Sequence, residues 1–83
     1  MDMQALGAES IGRIIDAGSV RSLFQPIVHL DSGDPVAFEA LSRGPEGSGL
    51  EHPDLLFGAA AEAGRLGELD RTCARSAIEA AHG

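Results

Sequence analysis

Phe24-Gln25-Pro26-Ile27-Val28, followed by Phe38-Glu39-Ala40-Leu41-Ser42-Arg43, is the stretch that decides how this chain is read. It sets a carboxamide, a carboxylate and a guanidinium among apolar and aromatic residues suited to strands. A strand hides apolar groups at little cost, but it hides a Glu or an Arg only where something pairs with them. Between the runs, Asp31-Ser32-Gly33 reads as a three-residue hairpin loop, with Gly at the position that enters the left-handed region. The predicted strands are Leu23–Leu30 and Pro35–Ser42.

Register follows from the loop. If Leu30 closes against Asp34, Gln25 lies opposite Glu39 and Leu23 opposite Leu41. Side chains alternate along a strand, so Gln25, Ile27 and His29 share a face with Ala37, Glu39, Leu41 and Arg43. Phe24, Pro26, Val28, Val36, Phe38 and Ala40 collect on the other face, which is apolar throughout and is expected to be covered by helices. A two-residue loop would slip the register by one and carry Gln25 away from Glu39.

Outward from the hairpin the pattern turns helical. Residues 1–7 read as a loose tail, and residues 8–18 as a helix with Ile11, Ile14 and Ile15 on one face and Gly18 as its stop. Gly44-Pro45-Glu46-Gly47-Ser48-Gly49 is a loop; it lacks the Lys-Ser/Thr that would complete a phosphate-binding loop. Pro53 suits the first position of a helix running to Ala63, which Gly64 ends. A last helix over Glu68–Ala81 is expected to bury Leu69, Cys73, Ala77, Ala80 and Ala81. Two helices therefore occupy residues 53–81, and the hairpin with its polar positions occupies residues 23–43.

Composition narrows the function classes. Eighty-three residues form one domain at most, and a domain of that size buries only about 60–65% of its unfolded surface. With three Phe and no Trp or Tyr, the core rests on Leu, Ile, Val and Ala, and a core so small rarely supplies more than about 3–5 kcal/mol. A net charge of −7, with Arg as the only basic residue besides His, disfavours nucleic-acid polymers and leaves no Lys for catalysis. Cys73 is alone, so neither an intrachain disulfide nor a cysteine zinc site is available. No run is long and apolar enough to read as a membrane segment, and a cytoplasmic location is expected.

Two readings of the polar strand face compete. In one it is the solvated side of the sheet, and Glu39 and Arg43 form an exposed pair worth at most about 1 kcal/mol. In the other, Glu39 offers carboxylate oxygen to a hard divalent cation and Arg43 offers a two-pronged fork to a phosphate. His29, on the same face as Glu39, is a candidate for supporting contact. Asp31 and Asp34 suit the turn, His52 and His82 the surface, and Glu62, Glu68 and Asp70 a solvated helix boundary.

From about Ile11 to Ala81 the chain resembles the opening third of an EAL domain, the family of cyclic di-GMP phosphodiesterases. The matching blocks are Gln25-Pro26-Ile27-Val28, Glu39-Ala40-Leu41-x-Arg43 and Pro53-x-x-x-Phe57. Ala61-Glu62-Ala63-Gly64 and Leu66-Gly67-Glu68-Leu69-Asp70 follow in the expected order. The resemblance implies an α/β fold: the N-terminal part of a (β/α)8 barrel, built as a helix, an antiparallel hairpin and two helices, with its site at the C-terminal strand ends. It implies hydrolysis of cyclic di-GMP to linear pGpG with Mg2+ or Mn2+. Glu39 then resembles a metal ligand, Arg43 a phosphate-holding group, and Gln25 and Leu41 substrate-lining positions.

A complete barrel takes roughly 250 residues, and the family's later acidic, Asn and Lys positions find no counterpart here. The expectation is a segment that lacks most of the catalytic site and holds no metal tightly by itself. The alternative is a truncated or degenerate module that acts through binding or protein contacts. Two unpaired strand edges add the expectation of self-association, as a two-fold dimer pairing hairpins edge to edge or exchanging a helix.

Overall fold

The computed structural model describes residues 3–82, with side chains from Glu9 onward. Helix α1 (Met3–Ala17) leads into strands β1 (Arg21–Val28) and β2 (Pro35–Arg43), then helices α2 (Pro53–Glu62) and α3 (Leu66–His82). The order is the expected α/β one, a helix, an antiparallel hairpin and two helices, and it is consistent with part of a barrel.

Helix α1 starts at Met3, so the tail expected over residues 1–7 is helical wherever it is described; residues 1 and 2 lie outside the described residues. Met3, Gln4, Ala5 and Leu6 are all good helix formers, and Gly7 alone, at about 1 kcal/mol, does not stop the helix. At its other end the Ser19 amide donates to the Ile14 carbonyl and the Gly18 amide to the Ile15 carbonyl, both at 3.1 Å. With Gly18 at φ 64°, this is a Schellman cap. Helix α2 ends the same way: Arg65 donates to Ala60 (2.8 Å), Gly64 to Ala61 (3.1 Å), and Gly64 has φ 71°. Pro53 opens α2, and the His52 ring accepts the Asp54 amide at 3.2 Å as its N-cap.

The hairpin register is the one counted from sequence, with Gln25 opposite Glu39 and Leu23 opposite Leu41. The turn reaches it differently. His29, not Leu30, closes the ladder by donating to the Asp34 carbonyl at 2.8 Å, so the loop is Leu30–Gly33, with Gly33 at φ 76°. Val28 then pairs with Pro35 and Ile27 with Ala37, leaving Val36 as a bulge. The longer loop and the extra strand residue offset each other.

The core lies among the helices. Ile11, Ile14, Ile15, Val20, Leu56, Ala60, Leu69 and Cys73 are buried, with Leu50, Phe57, Ala59 and Ala63 packed against them. The expectation that helices cover the apolar strand face is overturned: Phe24 is 41% exposed, Val28 47%, Val36 62% and Phe38 63%. The helices bury their apolar stripes against one another and leave most of the apolar hairpin face open. Likewise only the first half of α3 rests on them; Ala77 is half-buried, whereas Ala80 and Ala81 are exposed beside Phe24 and Phe38. Arg65 fastens this body together, donating to Asp16 at 2.9 Å and to Glu68 at 2.6 Å. Those bonds raise the Arg65 pKa and hold the Glu68 carboxyl below the usual range.

Candidate functional site

Every second residue of the hairpin contributes to one face, in cross-strand layers: Ile27 with Ala37, Gln25 with Glu39, Leu23 with Leu41, and Arg21 with Arg43. The structure thus brings Gln25 and Glu39 directly opposite each other, both exposed, about 4.5–5.5 Å apart at Cα. Leu41 and Arg43 follow at the C-terminal end of β2, where both are half-buried.

Glu39 and Arg43 form no ion pair; the salt bridges among the described residues involve other side chains. Four steps along a strand span about 13 Å, and across that separation the two side chains make no contact, so the exposed pair is not formed. Arg43 Nη1 donates to the Ser42 carbonyl at 2.9 Å. His29 is occupied in the turn, its Nδ1 accepting the Asp31 amide at 3.3 Å.

Arg21 is a member of this face that the strand count, started at Leu23, left out. Carrying the same register one pair further would have found it. Its guanidinium lies 3.7 Å from the Glu46 carboxylate, and Nη2 reaches the Gly44 carbonyl at 3.5 Å. Two guanidiniums therefore stand on opposite strands at one end of the face, a pairing that favours an anion with several oxygens.

The loop after β2 is held by its own hydrogen bonds. The Gly44 amide donates to the Glu51 carbonyl and the Gly47 amide to the Glu51 carboxylate, each at 3.1 Å. Ser48 Oγ donates to the Pro45 carbonyl at 2.6 Å and accepts the Leu50 amide at 3.1 Å. Backbone hydrogen bonds from Glu51's own amide and from Gly47 hold the Glu51 carboxyl below the ordinary range. Glu51 carried no sequence signal, because its partners are backbone amides.

A divalent cation does not fit what is present. Such an ion takes about six oxygens, and no group of three or more His, Cys, Asp or Glu side chains converges among the described residues. Glu39 has the Gln25 carboxamide across from it and no second carboxylate in its layer. Nor is any helix among the described residues long and apolar enough to cross a membrane.

No curated protein and no solved structure matches the chain. The family model of the EAL domain matches residues 8–82, which span the whole hairpin with its Gln25–Glu39 layer and the helices that carry it. The chain therefore belongs to the EAL domain family.

Proposed function

We propose that this chain is a cyclic di-GMP-recognising portion of an EAL phosphodiesterase unit, acting in second-messenger signalling in the cytoplasm. The observation that supports it is the layered face on which Gln25, Glu39, Leu41 and Arg43 stand together in a chain of this family. Arg43, with Arg21 opposite, supplies charge to a phosphate of the dinucleotide. Leu41 and Leu23 offer apolar contact, and the Gln25 carboxamide offers both a donor and an acceptor. Glu39 is the residue suited to Mg2+ or Mn2+, but only with ligands these residues do not supply, so no hydrolytic step is assigned to them. Recognition of the dinucleotide is the part of the activity that these residues supply.

Equilibrium dialysis with cyclic di-GMP tests the reading. Binding weaker than micromolar is expected, since one strand face covers only part of a dinucleotide. Arg43→Ala should weaken it by roughly tenfold, the value of a charge-assisted hydrogen bond. Wild type and Arg43→Ala binding equally, or neither binding at millimolar ligand, would remove the reading.

A further inference from the structure

Arg21 and Arg43 occupy one cross-strand layer, directly opposite each other on β1 and β2. Like charges so placed repel, so the layer calls for an anion. Among the described residues no carboxylate bridges to Arg43, whose Nη1 turns to the Ser42 carbonyl of its own strand. Arg21 has one, that of Glu46 in the loop after β2. The layer thus holds two guanidiniums and a single carboxylate.

The backbones that carry Arg21 and Glu46 are fixed independently of their contact. On α3, Ser76 Oγ donates to the Val20 carbonyl at 3.2 Å and is hydrogen-bonded to Ser22 Oγ at 3.0 Å, so both chain neighbours of Arg21 are fastened. Side chains alternate along the strand, which puts this anchor behind the face on which Arg21 stands. Glu46 is second in a turn that the Ser48 amide closes by donating to the Pro45 carbonyl at 3.2 Å. Gly47 is third, at φ 80°, where a type II turn needs the left-handed region. Neither anchor uses the Arg21–Glu46 pair. The pair itself is loose, at 3.7 Å with the Gly44 carbonyl at 3.5 Å, whereas Arg65 holds its two carboxylates at 2.9 and 2.6 Å. A contact that supports neither backbone is free to be exchanged.

We propose that Glu46 is an internal counterion that competes with phosphate for Arg21. Without ligand, its carboxylate offsets part of the charge in the Arg21–Arg43 layer. A phosphodiester arriving at the layer takes Arg21 over, and two guanidiniums on opposite strands then share its oxygens. Glu46 is released in the exchange, so it lowers affinity by the strength of the pair that must break. The inference rests on the cyclic di-GMP reading and adds a competing group within the chain that sets how tightly the phosphate is held.

Nuclear magnetic resonance titration of the full chain with cyclic di-GMP, carried to millimolar ligand, tests the proposal. Glu46→Gln, which keeps the shape and removes the charge, should tighten binding by about two- to fivefold, the range of a solvent-open ion pair. Arg21→Ala should weaken binding by up to roughly tenfold. In the Arg21→Ala background Glu46→Gln should change nothing, because the group competed for is gone. A Glu46→Gln variant that binds no tighter than wild type overturns the proposal. So does a gain that persists without Arg21, since the carboxylate would then act at a distance rather than by competition. Arg43→Ala separates the two readings: if it weakens binding while Glu46→Gln is neutral, recognition stands and the counterion falls. If Arg43→Ala is also neutral, or wild type does not bind, both fall.

Discussion

At Gly44 the room for a side chain is missing: a Cβ there would lie 2.1 Å from the Leu50 carbonyl oxygen and 2.8 Å from its carbon. Both atoms are backbone, so neither swings aside, and Gly44→Ala must displace the loop that follows Arg43. The expected loss is about 1–3 kcal/mol, read as a lower denaturation midpoint at unchanged slope. Gly58, inside α2 with nothing within 4 Å of its Cβ position, is the control, where Ala should add roughly 0.5–1 kcal/mol. Gly44 was legible as loop punctuation but not as a contact, because the tightness comes from a carbonyl six residues away. Arg65 was equally silent: one of its partners, Asp16, lies 49 positions back in the chain. Gln25 and Glu39, by contrast, were placed opposite each other by counting alone, since pleat and turn leave a strand residue few alternatives.

Elements were read well where their signal is local. Gly18 and Gly64 end α1 and α2, and Pro53 opens α2, because each fixes a backbone angle or removes a donor at a place the helix itself dictates. The hairpin tip was misread for a definite reason. Nine residues separate Ile27 from Ala37 whether the loop holds three and the ladder is regular, or the loop holds four and Val36 bulges. Alternation of apolar residues cannot choose between these. The burial of the hairpin was misjudged because an apolar face shows a need for cover, not a supplier of it. Where the helices do pack, the consequence is measurable. Leu56 is fully buried, so Leu56→Ala should cost about 2–5 kcal/mol, enough to unfold much of a domain with a core worth about 3–5 kcal/mol. Circular dichroism melts would show it; Ile78→Ala, at a side chain 60% exposed, should stay within about 0.5 kcal/mol of wild type.

The molecule as a whole is drawn out, 53 × 23 × 22 Å with a radius of gyration of 14.8 Å, against roughly 12 Å for a compact domain of this length. The hairpin projects from a helical body, and stability should divide along the same line. In hydrogen exchange by mass spectrometry at micromolar concentration, amides of β1 and β2 should exchange well before those of α2 and the first half of α3. Uniform protection across all elements would contradict it. The helical body in turn is closed by late-arriving parts: Leu56, Leu69 and Cys73 cover the isoleucines of α1, and Ser22 meets Ser76 at 3.0 Å from 54 positions away. A ribosome delivers these pieces in the opposite order to the one in which burial needs them. The isoleucine stripe and both faces of the hairpin emerge first, and the cover over the stripe stays incomplete until α2 and then α3 are made. Burial of the isoleucine stripe is therefore completed only once α3 has been made, and the nascent form before that point is the state most in need of a chaperone.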